Sequence, residues 1–178
     1  MSSSFSTQAI VLKRSNIGET DRLVTILSQD RGKIVCVAKG VRKLKSSNRA
    51  NLEPGNCVKA FLIENKGLPL LTQTRLLQNA DQLKLSLTHI TQLSQILEIF
   101  DRLFVEGFID EEASQIAFAI YDELLSPEKH NLKIKNKLNS LVQVLGYQDM
   151  TETLHRSILD YVAEISEKKM KSVEFLRV

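Results

Sequence analysis

The chain has 178 residues, of which 43% are hydrophobic and 25% are charged, and its formal net charge is +3. This composition is typical of a folded globular protein and excludes a chain that is disordered throughout. No window approaches about 18 consecutive apolar residues, and the first residues lack the basic and apolar regions of a secretory signal. We therefore expect a cytoplasmic protein without a membrane span.

Short apolar runs rich in β-branched residues occupy the first part of the chain and are separated by turn residues. Asp30-Arg31-Gly32 and Pro54-Gly55 are typical of tight turns between strands. The runs predict five strands, at 9–12, 23–27, 34–38, 58–63 and 68–77. Five short strands with one long loop between the third and the fourth are typical of a small closed barrel such as an OB-fold.

After residue 79 the apolar residues recur three, four or seven positions apart, which is the period of a helix. Four helices are predicted: one ending near Gly107, one from Asp110 as N-cap to Ser126, one ending before Gly146, and one over 152–169 with Leu154 facing inward. The predicted fold class is therefore α+β with two domains. Residues 1–80 would form a nucleic-acid-binding OB-fold and residues 81–178 a helical bundle.

Charge changes at the same boundary as the predicted structure. Residues 1–80 contain 13 Lys and Arg against 5 Asp and Glu, whereas residues 81–178 contain 11 against 16. Five of the cations fall in the long loop, and they are Lys39, Arg42, Lys43, Lys45 and Arg49. On a flexible loop these side chains can reach DNA phosphates without a fixed base geometry, so the loop is predicted to bind DNA.

Three further cations near strand ends, Arg14, Arg31 and Lys33, are predicted to extend this surface. The alternative for the loop is a solvated segment kept basic for solubility, and the alternative for these three cations is that each is simply an exposed strand residue. Only Phe5 and Phe61 provide aromatic rings in the first 80 residues, and Phe61 is predicted to lie in the core. Because a stacking platform is nearly missing, we expect electrostatic, sequence-tolerant binding that accepts duplex as well as single strands.

The residue types that carry catalysis or bind metals do not cluster in the sequence. Cys36 and Cys57 are predicted to be buried reduced thiols, and no His or Cys pair has zinc-ligand spacing. Glu19 and Asp21 have no nucleophile or second ligand set at useful spacing, so we expect them to cap backbone amides or hold a nearby Arg. The sequence predicts no enzymatic activity, cofactor or metal.

A second basic feature lies in the predicted third helix, where Lys129, Lys133 and Lys137 recur every four residues on one face. Beside an apolar helix, this stripe could hold a short acidic peptide with a hydrophobic end. Lysines on the outer face of a helix are more often plain solvated surface. Both interpretations remain open.

Short motifs occur in a recognisable order along the chain. The residues Gly18-Glu-Thr-Asp-Arg22, then Ala38-Lys-Gly40, Leu52-Glu-Pro54 and Thr72-Gln73, resemble the N-terminal domain of the RecO family of bacterial recombination mediators. Further motifs resemble the family's C-terminal domain, and they are Leu145-Gly-Tyr147, Lys171-Ser172 and Phe175-Leu176. The resemblance therefore extends over both predicted domains.

This resemblance implies an N-terminal OB-fold, a C-terminal helical domain and no enzymatic turnover. It implies binding to single- and double-stranded DNA, annealing of complementary strands, and a nucleoid-associated location. It also implies that the chain works with RecR to place the recombinase RecA on DNA coated by single-stranded-DNA-binding protein. The C-terminal tail of that protein has the character of the acidic peptide considered for the lysine stripe.

The chain departs from the family in one segment. Many members carry a four-cysteine zinc motif soon after the Leu-Gly-Tyr motif, whereas here the residues from Gln148 to Leu154 include no cysteine. The sequence therefore predicts a short form that lacks the zinc subregion, which puts part of the surface for RecR in doubt. Two other functions remain open, namely a protein-interaction adaptor for acidic tails and an RNA-binding OB module.

Overall fold

The computed structural model describes residues 3–126 and 131–174. The chain divides into two compact units: Met1–Ala80 with Glu106–Ile109, and Asp81–Val105 with Asp110–Val178. Strands make up the first unit and helices the second, so the fold class is α+β as predicted. Within the described ranges, no helix is both long enough and apolar enough to traverse a lipid bilayer.

Five strands of the first unit close into a barrel in the order β1-β2-β3-β5-β4. They are β1 (Ser4–Ile17), β2 (Asp21–Ser28), β3 (Gly32–Ala38), β4 (Cys57–Ile63) and β5 (Leu70–Gln78). Strand β1 pairs antiparallel with both β2 and β4, which explains why it is longer than its apolar run predicts. Strands β3 and β5 pair in parallel at Val37 and Leu70 and so complete the barrel.

Alternate strand residues fill the barrel interior, as the period of a strand requires. Two residues outside the strands, Val41 and Leu52, complete this core, and Leu52 follows directly after the short helix α1 (Asn48–Asn51). Cys36 is a buried free thiol, as predicted. The prediction for Phe61 is wrong, because it lies on the outer face of β4 and is 38% exposed.

A bulge in β1 determines which side chains continue the inner face of the barrel. The register between β1 and β2 shifts between Val11 and Lys13, so that Arg14 pairs with the core residue Val24. Side chains paired across two strands lie on the same face of the sheet. Arg22 is two residues before Val24 on β2 and therefore shares this face. The side chains of Arg14 and Arg22 therefore lie on the inner face of the barrel, next to its apolar core.

The segment Glu106–Ile109 packs against the turn between β2 and β3. Gly32 has a φ of +66°, and a Cβ atom there would lie 2.2 Å from the carbonyl oxygen of Phe108. Lys33 forms an isolated parallel bridge with Glu106. Only glycine fits at position 32, because it alone accepts both this backbone conformation and the approach of the Phe108 carbonyl.

The helices of the second unit are α2 (Leu87–Leu103), α3 (Glu111–Leu125), α4 (Asn131–Val144), α5 (Ile158–Ile165) and α6 (Lys171–Glu174), with 3₁₀ turns at Asp81–Leu85 and Met150–Glu152. The predicted N-cap of α3 is confirmed, since the Asp110 carboxylate accepts a hydrogen bond from the amide of Ala113. The inward residues of these helices form the core of the second unit, which includes Phe100, Ile120, Tyr121, Leu141 and Val162.

The predicted fourth helix is wrong over its first half. Helix α5 begins only after Ser157, whose hydroxyl caps the amide of Asp160. Upstream, the Asp149 carboxylate caps a separate 3₁₀ turn by accepting from the amide of Thr151. Leu154 lies between these two capped segments and is fully exposed instead of facing inward. Local side-chain caps therefore override the apolar period here.

Candidate nucleic-acid interface

The basic loop, residues 39–49, follows β3 and includes the first two residues of α1, and it is anchored where it leaves β3. The Asp21 carboxylate accepts a hydrogen bond of 2.8 Å from the amide of Gly40. The amide of Arg42 donates to the carbonyl of Thr20 over 2.9 Å. Val41, between these contacts, is buried in the barrel core. The turn before β2 therefore fixes the position of the loop's first residues.

The other end of the loop is fixed by two asparagines of α1. Asn48 Oδ1 accepts from the amide of Thr74 over 2.9 Å, and its Nδ2 donates to the carbonyl of Thr72 over 3.2 Å. Asn51 Nδ2 also donates to the carbonyl of Thr74. Both contacts join α1 to β5, and Leu52 then enters the core. The loop is thus anchored at both ends, whereas the sequence predicted a flexible one.

Between these anchors the loop presents its cations to solvent. Lys39, Lys43, Lys45 and Arg49 are exposed, and none of them forms a salt bridge within residues 3–126 and 131–174. Arg42 is half-buried, because its Nη1 donates to the carbonyl of Gly18 over 3.1 Å. Four of the five predicted loop cations are therefore available to an external anion, and the fifth also supports the fold.

The electrostatics of Asp21 reflect this arrangement. The hydrogen bond from the amide of Gly40 lowers its pKa, and the hydroxyl of Thr20 and the positive charges of Lys39 and Lys43 act in the same direction. Asp21 is thus held as a carboxylate at the base of the loop. The predicted amide-capping role is confirmed, with the amide supplied by the neighbouring loop.

Arg14 lies close to the loop but is already paired. Its Nη2 lies 2.6 Å from Glu53 Oε2, and Arg22 Nη1 lies 3.8 Å from Glu53 Oε1. Arg22 is only 6% exposed. Burial lowers the pKa of Arg22, as does the charge of Arg14, whereas Glu53 raises it. The sequence analysis did not predict Arg22 and Glu53 as site residues. The position of Arg22, two residues before the inward Val24, could have indicated that its side chain faces the barrel interior.

Lys33 is not brought to the loop. It lies near the start of β3, six residues before Lys39, which corresponds to about 20 Å of extended strand. Arg31, in the preceding turn, lies over the ring of Phe5 at 4.1 Å from its centroid. Arg31 and Lys33 therefore lie apart from the cations of the loop.

The predicted lysine stripe of the helical unit is only partly described. Lys129 lies outside the described residues, Lys137 is half-buried, and Lys133 Nζ lies 3.7 Å from Glu123 Oε1. A cavity of about 320 Å³ opens elsewhere in this unit, and Lys135 and Arg156 contribute to its otherwise largely apolar wall. Helix periodicity places Lys135 on nearly the opposite side of α4 from Lys133. The stripe and the cavity therefore use different faces.

The segment that follows the Leu-Gly-Tyr motif folds back on α4 and α5. The Asp149 carboxylate accepts from Asn139 Nδ2 over 3.0 Å, and Tyr161 donates its hydroxyl to the carbonyl of Gln148 over 2.8 Å. Over the described part of the chain, no three His, Cys, Asp or Glu side chains are grouped so that they could hold a metal ion.

Comparison with known proteins assigns the barrel unit. Residues 1–80 match the family model described as recombination protein O N terminal. The barrel unit is thus a RecO N-terminal domain. Thr20, Asp21 and Gly40, which anchor the basic loop, fall within the segments 18–22 and 38–40 that resemble RecO motifs.

Relatives named DNA repair protein RecO match this chain over different lengths. The protein from Heliobacterium modesticaldum is 38% identical over 96 residues, which is 54% of this chain and 35% of that protein. The one from Nocardioides sp. is 39% identical over 56% of this chain and 41% of its own length. The one from Roseiflexus sp. is 31% identical over 81% of this chain and 50% of its own length. The chain thus spans half or less of the length of these three relatives.

Proposed function

We propose that this chain binds DNA through the loop at 39–49 and acts as a recombination mediator. In this role it anneals complementary strands and helps load a recombinase onto DNA coated by single-stranded-DNA-binding protein, in the cytoplasm at the nucleoid. The observation that carries the proposal is the set of four exposed, unpaired loop cations on an anchored loop. The name DNA repair protein, carried by the relatives, points to the same process.

The barrel supports a specific mode of binding. Its strand order, with a helix between β3 and β4, is the arrangement we infer to be an OB-fold. Phe5 is covered by Arg31, and the half-exposed Phe61 lies on the outer face of β4. Without a row of exposed rings, the cations would contact phosphates and leave the bases unread. Binding would then tolerate any sequence and accept single or double strands.

A second candidate function is an adaptor for acidic tails, and the cavity in the helical unit favours it. Its apolar wall would accept a hydrophobic chain end, while Lys135 and Arg156 would attract nearby carboxylates. The tail of single-stranded-DNA-binding protein has this chemistry, so the two functions are compatible. The stripe of Lys133 and Lys137 remains the alternative docking face. Contact with RecR is proposed from the resemblance to the RecO family alone.

The test is annealing of complementary oligonucleotides coated with single-stranded-DNA-binding protein. The variant Lys43→Glu with Lys45→Glu reverses two exposed charges and breaks no hydrogen bond within the described residues. Lys59→Glu with Lys66→Glu is the matched control, because it makes the same charge change elsewhere on the barrel unit. We expect the loop variant to lose annealing and the control to retain most of it. Equal activity in the two variants would overturn the DNA-binding role of the loop.

The same variants separate the other functions. If the chain is mainly an adaptor, the loop variant should keep its activity and Arg156→Glu, on the cavity wall, should lose it. If the chain is an RNA-binding module, it should prefer RNA to DNA of the same sequence, which requires recognition of the 2′-hydroxyl.

A further inference from the structure

Arg22 is a buried arginine with two nitrogen atoms that donate no hydrogen bond to the residues that the structure describes. Only 6% of the residue is exposed, and these two nitrogen atoms are Nε and Nη1. Buried donors in folded proteins nearly always have an acceptor, and a charged donor left without one is costly. The position of Arg22 therefore indicates that an acceptor belongs there.

The carboxylate of Glu53 lies beside Arg22 but is held mainly by Arg14. Glu53 places Oε2 at 2.6 Å from Arg14 Nη2 and Oε1 at 3.8 Å from Arg22 Nη1, which is too long for a hydrogen bond. The Glu53 side chain is 34% exposed, compared with 8% for that of Arg22. The carboxylate thus has access to solvent, whereas the Arg22 guanidinium does not.

The surroundings of this pair are strongly positive. Burial lowers the pKa of Arg22 most, the charges of Arg14, Arg49 and Arg42 lower it further, and Glu53 is the opposing charge. Glu53 is within 4 Å of two of these arginines, Arg14 and Arg22. Such an excess of guanidinium over carboxylate is suited to an anion with more charge-accepting oxygens, and the planar fork of arginine matches phosphate in particular.

We propose that Arg22, together with Arg14, forms a site for one phosphate group of a nucleic-acid backbone, and that Glu53 occupies this site in the free protein. The identity of the ligand as nucleic acid rests on the proposed function. The site itself rests on the unused donors of Arg22. On binding, the Glu53 carboxylate moves into solvent and the phosphate oxygens accept from Arg22 and Arg14. No covalent bond changes in this exchange.

The fold explains why such a site exists at this place. The bulge in β1 puts Arg14 on the inner face beside Val24, and Arg22 pairs with Ala38, the last residue before the basic loop. Glu53 follows Leu52, which anchors the far end of the same loop in the core. The site therefore lies between the two ends of the loop, where a strand bound by the exposed cations could place a phosphate.

The test compares Glu53→Gln with Glu19→Gln, an exposed glutamate in the turn at 18–21 whose substitution makes the same charge change. The probe is a fluorescein-labelled oligothymidylate of about eight nucleotides, within the range that one OB-fold covers. We expect Glu53→Gln to bind it about tenfold more tightly, the effect of one charge-assisted hydrogen bond. We expect Glu19→Gln to change affinity by less than about threefold, the effect of a surface charge. Equal affinities for the two variants would overturn the site.

Arg22→Lys in the Glu53→Gln background keeps the positive charge but removes the guanidinium fork. It should therefore abolish the tighter oligonucleotide binding that is expected of Glu53→Gln. If that variant does not fold, the Nε–Hε resonance of Arg22 in the Glu53→Gln protein provides the same test. It should shift on adding the oligonucleotide, and an unchanged resonance at saturation would overturn the site.

Two further comparisons distinguish a failure of the phosphate site from a failure of the proposed function. Suppose that Lys43→Glu with Lys45→Glu abolishes oligonucleotide binding, whereas Glu53→Gln and Glu19→Gln bind the oligonucleotide with equal affinity. The phosphate site is then wrong and the proposed function stands. If inorganic phosphate shifts the Arg22 resonance but the oligonucleotide does not, the site binds a free anion and its assignment to nucleic acid is wrong.

Discussion

The carboxylate of Asp21 accepts a hydrogen bond of 2.8 Å from the backbone amide of Gly40, and so joins the turn before β2 to the start of the basic loop. Gly40 has a φ of +64°, a conformation that glycine adopts without strain. Lys39 immediately precedes this contact and Lys43 follows it by three residues. One carboxylate therefore positions the first cations of the loop.

Removing the Asp21 carboxylate should loosen the loop. We expect Asp21→Ala to speed hydrogen exchange at the Gly40 amide and to weaken DNA binding, with a smaller effect for Asp21→Asn, whose Oδ1 still accepts a hydrogen bond. Glu19→Ala, in the same turn, is the control. Protection of Gly40 that is unchanged in Asp21→Ala would contradict this role.

The anchor should also depend on pH. The pKa of Asp21 is lowered in the folded protein, mainly by the Gly40 amide. Its contribution is therefore complete above the ordinary aspartate pKa of about 4 and is lost as the pH falls through the lowered value. Exchange at Gly40, after correction for the intrinsic rate, should accelerate over that acidic range in the wild type. It should not do so in Asp21→Asn.

The slope of log K against log salt for DNA binding should report how many exposed loop cations contact phosphates. If Lys39, Lys43, Lys45 and Arg49 each neutralise one phosphate of a single strand, log K should fall with log salt at a slope of about −2.8. Lys45→Gln should reduce the slope by about 0.7, while Arg42→Gln should change it less because Arg42 donates to Gly18. Fluorescence anisotropy across a salt series measures both. A flat response would contradict phosphate binding.

Two glycines with positive φ should differ in their tolerance of alanine. A Cβ at Gly18 meets nothing within 4 Å, so Gly18→Ala should cost only the left-handed strain of about 1–2 kcal/mol. Gly32→Ala should cost about 1–3 kcal/mol more, because its Cβ would lie 2.2 Å from the Phe108 carbonyl oxygen. Urea unfolding measures the free energy of both. Similar values for the two variants would show that the segment 106–109 moves away without cost.

In the helical unit, Glu98 should stabilise the last described helix. Its carboxylate accepts from the amides of Lys171 and Ser172, each over 2.8 Å, and from Arg102 over 2.9 Å. We expect Glu98→Gln to lower the free energy of unfolding by about 1–3 kcal/mol, the range for hydrogen bonds to charged groups. The exposed Glu152→Gln is the control. An equal effect of the two substitutions would contradict this role.

Glu98 should also contribute to acid sensitivity. Burial by itself would raise its pKa, but the hydrogen bonds from Ser172, Lys171 and Arg102 outweigh burial and lower it. Its stabilisation should therefore be complete above the ordinary glutamate pKa of about 4.3 and disappear as the pH falls through the lowered value. The difference in unfolding free energy between wild type and Glu98→Gln should shrink over that range.

The sequence by itself determined the elements whose signals are local. Alternating apolar runs gave five strands, the helical period gave α2 to α4, and Asp110 marked the start of α3 through its own cap. The concentration of cations between β3 and α1 is likewise a property of the chain alone. These signals can be read because period and capping act between residues only a few positions apart.

The tertiary structure decided which of these residues meet. Arg14 faces inward only because a bulge shifts the register of β1 against β2, and Glu53 reaches Arg14 and Arg22 only after the barrel closes. The loop is anchored by partners 19 to 26 residues away, Asp21 for Gly40 and Thr74 for Asn48. Strand register and long-range hydrogen bonds depend on how separate segments pair. A pattern within one segment therefore cannot fix them.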